Sequence, residues 1–317
     1  MSKAIQFVIN SSEITAGTRG ASLGPFAILT AARKQAKTLF DPNAVQYLPN
    51  QNHVLDLAPK PSKAKNIQGY SQLFGDIVET VSSLLKDGKF PFVLAGDHGS
   101  AAATVSAMKI AEPTKRLGVI WIDAHADLHS PYTTPSGNMH GMPLSIPLDS
   151  DNLECKVNEL SSDIVEMWDK LKNYGNISPK ISPDDLIYVG VRDTEEQEDF
   201  LINKLNIKNF TVAEVEQLKA KEVARQILAK LSACDWIYLT WDVDSMDPKL
   251  SSYGTGTPVE NGLQPDEVKL LILELLQSPK IGCFEVVEVN PCLDDKVNRM
   301  AEIALDVIEE SVNVLSK

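Results

Sequence analysis

Short, uninterrupted apolar runs recur along the chain, each followed by a loop and then by apolar positions at helical spacing. Residues 5–9 make the first run. Phe92-Val93-Leu94-Ala95, Gly118-Val119-Ile120-Trp121-Ile122, Leu186-Ile187-Tyr188-Val189-Gly190-Val191, Trp236-Ile237-Tyr238-Leu239-Thr240-Trp241 and Cys283-Phe284-Glu285-Val286-Val287 follow. Such runs, rich in β-branched and aromatic residues, read as strands covered on both faces and therefore as a parallel sheet. The intervening stretches predict helices over residues 26–39, just after Gly24-Pro25, and over 71–85, 213–231, 265–276 and 300–315. Strand–helix alternation along the whole length predicts an α/β fold, either a doubly wound sheet or a closed barrel. There is no internal repeat and no low-complexity linker. Residues 59–63, Pro-Lys-Pro-Ser-Lys, predict a surface loop. Residues 150–182 are polar with a helical centre at 164–171, and read as an insertion between two strands, so residues 1–317 are expected to form a single domain.

Composition narrows the classes of function. Hydrophobic residues are 43% of the 317, enough for a sizeable core. The net charge of −13 argues against nucleic acid and against an anionic membrane surface as partners. The four cysteines (Cys155, Cys234, Cys283, Cys292) include no Cys-x-x-Cys pair and read as reduced, mostly buried thiols. The beginning of the chain has no long apolar segment, and no apolar run approaches a membrane span. A soluble, cytoplasmic protein is the expectation.

Three segments following apolar runs concentrate carboxylates and imidazoles: Gly96-Asp97-His98-Gly99, Asp123-Ala124-His125-Ala126-Asp127 and Asp242-Val243-Asp244. Alternate residues on an extended strand end point to one side. Ligands of parallel α/β sheets bind at the carboxyl ends of strands, where all three segments are predicted to lie. Oxygen and imidazole ligands converging from neighbouring strand ends imply two metal ions sharing carboxylates. A single Asp-x-Asp at a strand end is more often a turn; it is the set of three that carries the inference.

These segments, together with Gly254-Thr255-Gly256-Thr257-Pro258, Glu288-Val289-Asn290-Pro291 and the N-terminal Thr18-Arg19-Gly20-Ala21-Ser22-Leu23-Gly24-Pro25, resemble the ureohydrolase family of arginases, agmatinases and formiminoglutamases. The loop from Pro131 to Pro143, with Ser136, Asn138 and His140, resembles arginases most. The resemblance implies a three-layer α/β/α domain with a mostly parallel sheet of about eight strands. It implies that His98 and Asp127 bind one Mn²⁺, that His125 and Asp244 bind the other, and that Asp123 and Asp242 bridge both. Co²⁺, Ni²⁺ and Fe²⁺ suit the same donors. It further implies that Ser136 and Asn138 hold a substrate α-carboxylate, that His140 shuttles protons, and that Thr257 and Glu288 face a guanidinium; Asp127 and Glu288 join His140 as catalytic residues. Arg192-Asp193-Thr194-Glu195 resembles the segment that binds the α-amino group, which adds Asp193 and Glu195 as substrate contacts. Two positions depart from the arginase pattern: His129 stands where asparagine is usual, and Glu195 where aspartate is usual. His129 is read as a rim group beside the carboxylate site rather than a seventh metal ligand.

The expected activity is hydrolysis of L-arginine to L-ornithine and urea. A guanidinium carbon is a poor electrophile, and paired divalent ions present hydroxide at neutral pH by lowering the pKa of a shared, bridging water. The alternatives are a ureohydrolase acting on agmatine, guanidinobutyrate or another guanidino compound, and a non-catalytic, metal-dependent amino-acid-binding protein. Family precedent implies a homo-oligomer, trimer or hexamer. Without the resemblance, a two-metal phosphoesterase stays open, and Glu288 could simply cap the next helix. His53 is expected at the surface, and Gly20 and Gly24 in turns.

Overall fold

A computed structural model describes residues 3–57 and 62–317. Residues 59–61 of the expected surface loop therefore lie outside the described residues. In chain order the elements are β1 Ala4–Asn10, α1 Gly24–Lys34, β2 Val45–Tyr47, α2 Ile67–Lys86, β3 Lys89–Ala95, α3 Ala101–Ala111, β4 Leu117–Ile122, α4 Ser145–Leu148, α5 Ser162–Lys172, β5 Leu186–Val189, α6 Glu196–Leu205, β6 Lys208–Phe210, α7 Val212–Leu218, α8 Ala220–Lys230, β7 Trp236–Asp242, α9 Pro265–Leu276, β8 Ile281–Val287 and α10 Arg299–Leu315, with single 3₁₀ turns between.

The strands form one eight-stranded sheet in the order β2-β1-β3-β8-β7-β4-β5-β6, and every pair is parallel. It is open, with three-residue strands β2 and β6 at its edges, so of the two architectures the alternation allowed, the barrel is excluded. Successive strand residues feed opposite layers. Phe92, Leu94, Ile120, Leu239 and Phe284 pack against α1, α8, α9 and α10 through Ile28, Ile227, Ile272 and Leu305. Val93, Val119, Trp121, Tyr238 and Cys283 pack against α2, α3 and α5 through Phe74, Ala103 and Trp168. Both faces are covered, as the unbroken apolar runs require.

Several boundaries differ from expectation for local reasons. Helix α1 stops at Lys34 rather than residue 39, because Ala36 turns into the left-handed region. Helix α2 starts a turn early at Ile67, behind a left-handed Asn66. The helix expected over 213–231 is two helices, broken at Lys219 with φ 69°; Thr211 and Glu214 cap the first reciprocally. Strand β5 ends at Val189, since Gly190 has φ 87°. Helices α3 and α6 and the edge strands β2 and β6 have no counterpart among the predicted elements. Of the cysteines, Cys234 and Cys283 are buried, but Cys155 is half-buried and Cys292 exposed, so "mostly buried" holds for two of the four. His53 is exposed, as expected.

The strand order matters for chemistry. It lays the carboxyl ends of β3, β8, β7, β4 and β5 side by side, and every predicted metal-type segment leaves the sheet there.

Candidate active site: two histidines around a shared carboxylate

Four adjacent strand ends supply the floor of one cleft. His98 follows β3, Asp123 follows β4, Asp242 closes β7 and Glu288 follows β8. His98 is fully buried, and its Nδ1 lies 2.9 Å from Asp123 Oδ2, 3.2 Å from Asp127 Oδ2 and 3.3 Å from Asp242 Oδ2. That nitrogen nevertheless has no well-aligned hydrogen bond. Its other ring nitrogen, Nε2, meets Thr240 Oγ1 at 2.9 Å, and the ring stacks on Trp121 at 4.0 Å between centroids. Trp121 Nε1 donates to Asp123 Oδ2 at 2.8 Å. Partners behind the ring thus fix its orientation and aim Nδ1 at the carboxylates.

A second group adjoins the first. His125 Nδ1 lies 3.0 Å from Asp244 Oδ2 and 3.5 Å from Asp123 Oδ1. Asp123 therefore presents one oxygen to each histidine, and the groups His98–Asp123–Asp127 and Asp123–His125–Asp244 share it. Asp242 Oδ1 accepts from the Asp244 amide at 2.8 Å and Asp244 Oδ1 from the Ala124 amide at 3.2 Å, so backbone donors tie the two strand ends together. Asp127 and Glu288 hold left-handed backbone, φ 51° and 65°. Non-glycine residues keep such conformations where the surroundings over-determine them, and such positions cluster at functional sites.

The electrostatics fit cations. Burial pushes Asp242 well above the ordinary carboxylate range, aided by Asp244 and Asp123. Burial likewise raises Asp244, and raises Asp127 to about 6. Burial would raise Asp123 as well, but contacts with His125 and His98 outweigh it and hold it low. Both histidines rise well above their usual value although burial opposes their charge, because carboxylates surround them. Four buried carboxylates in contact need protons or cations between them. Oxygen and imidazole donors whose atoms converge in two groups with one shared carboxylate suit a pair of divalent ions, which would take the protons' place.

Above this floor is a cleft of about 150 Å³. His140 Nδ1 lies 3.4 Å from Glu288 Oε1, which also accepts from the His98 amide at 2.9 Å. Glu288 does not cap the next helix: Asn298 occupies that position. Burial opposes charge on His140, but Glu288 outweighs it and raises the imidazole's pKa. Thr257 Oγ1 donates to Asp244 Oδ2 at 3.1 Å.

The Arginase family profile matches residues 4–313. The arginase of Bacillus subtilis strain 168 is 31% identical over 319 aligned positions, covering 98% of this chain and 97% of that one. The crystal structure of arginase from Bacillus subtilis superposes with a TM-score of 0.78 at 30% identity, and that of Bacillus caldovelox with 0.80 at 29%; each covers 98% of both chains. The chain belongs to the arginase family.

In this arginase-family cleft the rim residues are brought together unequally. Ser136 and Asn138 line one side, where the Ser136 hydroxyl accepts from the Asn138 amide at 3.1 Å. His129 is buried on the other side, with Nδ1 3.0 Å from Thr133 Oγ1 and Nε2 3.0 Å from Glu195 Oε2. Both ring nitrogens are engaged, and neither is turned to Ser136 or Asn138. The His129 contact holds Glu195 down to about 2. Asp193 stands at the outer edge, 3.6 Å from His125 Nε2, and does not line the cleft. Sequence reasoning missed Glu198. Its Oε2 lies 3.6 Å from His129 Nε2, its Oε1 accepts from the Leu128 amide at 3.0 Å, and burial and Glu195 push its carboxyl well up. The signal was present: Glu195 and Glu198 form a capping box, three residues apart at the start of α6.

Proposed function

We propose that the protein hydrolyses the guanidinium of L-arginine to L-ornithine and urea, using two Mn²⁺ ions held by His98, Asp123, His125, Asp127, Asp242 and Asp244. The observation that carries this reading is the pair of histidine–carboxylate groups sharing Asp123 beneath His140 and Glu288. Bound there, two divalent ions supply an activated water at neutral pH. Four carboxylates and two imidazoles suit Mn²⁺.

The remaining work falls to side chains. Glu288 pairs with the guanidinium, and Thr257 borders it from the Asp244 side. Cleavage of the C–N bond expels an amine, which needs a proton. His140, 3.4 Å from Glu288 and raised in pKa by it, is the group placed to deliver that proton. Ser136 and Asn138 take the α-carboxylate, while Glu195 and Glu198 take the α-ammonium, with Asp193 at the edge.

A second reading has one observation in its favour. His129 is committed to Glu195 and Thr133 rather than to the carboxylate side. A substrate lacking the α-amino group, such as guanidinobutyrate, would leave that pair undisturbed, whereas agmatine keeps an amine that would compete for Glu195. The arginine reading is preferred because the cleft offers hydrogen-bonding groups on one side and acids on the other.

We also infer a single ureohydrolase domain over residues 1–317, supported by one sheet running through the chain. A homo-oligomer, trimer or hexamer, follows family precedent. A cytoplasmic location is supported by four free cysteines. No helix among the described residues is long and apolar enough to cross a membrane. The test is direct: protein stripped by chelator and reloaded with Mn²⁺ should release equimolar urea and ornithine from L-arginine, and the stripped protein neither. Urea release that persists through stripping, or arginine that binds without turnover, would contradict the assignment.

A further inference from the structure

The residues lining the cleft include four carboxylates, Asp127, Asp242, Asp244 and Glu288, and two further acids at the mouth, Glu195 and Glu198, but no lysine or arginine. A substrate α-carboxylate entering this cleft therefore needs a cation from just outside it. On the Ser136–Asn138 side there is one. Lys65 Nζ donates to Asn138 Oδ1 at 2.9 Å, and the Lys65 amide donates to the Gly137 carbonyl at 2.8 Å. Lysine can only donate, so this contact decides which way the Asn138 amide points. With Oδ1 held by Lys65, Nδ2 turns inward over Gly17: a Cβ placed on Gly17 would lie 2.6 Å from Asn138 Nδ2 and 3.9 Å from His140 Nε2. The backbone is pressed into the same arrangement. Gly137 has φ 79°, and a Cβ there would lie 2.2 Å from the Ser62 carbonyl oxygen. Lys63 Nζ adds a bond to the Pro135 carbonyl at 3.1 Å. Residues 62–65 thus brace the loop from outside, opposite the acids Glu195 and Glu198.

We propose that Lys65 is a positioning and specificity-determining residue that selects guanidino compounds bearing a carboxylate. It fixes Asn138 with its N–H donors facing the cleft, and it places an ammonium beside the carboxylate's seat. Lys65 is exposed, and an exposed charge is worth little by itself. Its main effect is the orientation of the amide: a free amide can present its oxygen to an incoming carboxylate, whereas a locked one presents only donors. This inference rests on the reading of the cleft as a site for an amino acid.

The test measures kcat and KM for L-arginine and agmatine in wild type, Lys65→Met and Lys65→Arg, all Mn²⁺-loaded, with metal content and Tm confirming the fold. In Lys65→Met the arginine-over-agmatine ratio of kcat/KM should fall about tenfold, the loss residing in KM for arginine. Lys65→Arg, which keeps a donor and a charge, should recover most of it. A ratio that does not move in Lys65→Met, or a loss residing in kcat for both substrates, overturns the proposal. If wild type already prefers agmatine, the arginine reading fails separately. Lys65 is then judged on product inhibition: selective weakening of ornithine relative to putrescine in Lys65→Met sustains it, and equal effects overturn it.

Discussion

The floor and the rim of the cleft are built in different ways. Floor residues sit at the ends of central strands, buried apart from a half-buried His125, with side chains locked by stacking on Trp121 and by bonds from Thr240 and the Ala124 amide. Rim residues sit on the loop 129–138 and at the start of α6, and are held by contacts between segments far apart in sequence, such as Leu128 with Glu198 and Lys65 with Asn138. The floor fixes what reaction is possible, because its carboxylates and imidazoles can only be satisfied by cations. The rim fixes which guanidino compound is admitted, and the two departures from the arginase pattern, His129 and Glu195, both lie there. Changes on the floor should abolish chemistry for every substrate, whereas changes on the rim should re-weight substrates.

The largest expected effect is at Asp123, whose oxygens face both histidines. Asp123→Ala should lower occupancy at both metal positions and take urea release to background; metal analysis of the purified variant decides it. Retention of two ions would mean that Asp123 is not shared. Next is His140, which touches Glu288 but no member of the metal groups. His140→Ala should keep its metal and lose about 10²- to 10⁴-fold in kcat for arginine. Metal loss along with activity would make His140 part of the ligand set. On the rim, Asn138→Ala should raise KM for arginine about tenfold with little change in kcat, because the contact is remote from the breaking bond. An equal loss for agmatine would erase the distinction between floor and rim.

The smallest effect is on stability. Asp127, Asp242 and Asp244 have folded-state pKa values raised above their ordinary ones, as do His98 and His125. In the metal-stripped protein these groups contribute stability that is fully present below their unfolded values and is lost as pH rises through the folded ones. For Asp127 that window runs from 3.8 to about 6, and for the histidines it begins at 6.5 and extends upward. Asp123 is shifted the other way: its contribution is fully present above 3.8 and is lost only as pH falls below that value, outside this window. The Tm of stripped protein should therefore fall by a few degrees between about pH 5 and pH 8, and saturating Mn²⁺ should remove the decline. A flat profile in stripped protein would show that the carboxylates are not confined as described.

The same contrast explains what the sequence disclosed. The floor was legible because each ligand follows an apolar run directly, and strand ends carry local chemistry to a common edge. The parallel sheet was legible for the same reason: β3, β4, β7 and β8 are buried on both faces and carry no alternation. The edges were not. Strands β2 and β6 have three residues each, and Gln46 and Tyr47 are exposed, so neither leaves an apolar run. The break at Lys219 has no signal, since lysine has no preference for φ 69°. Helix α3 is buried nearly all round, Thr104 and Ser106 included, so it lacks an amphipathic stripe. Glu198 and Lys65 act by reaching across to other segments, which periodicity does not record. Glu288 was legible only through the family resemblance; by residue type alone a capping role was equally plausible.

The most direct test of the division between floor and rim is kcat/KM of the Mn²⁺-loaded protein for L-arginine, agmatine and guanidinobutyrate, read as urea released. The account predicts urea from arginine, with arginine preferred over both compounds that lack half of its head group. Faster turnover of agmatine or guanidinobutyrate than of arginine would contradict it, leaving the floor's chemistry standing and the rim's assignment overturned.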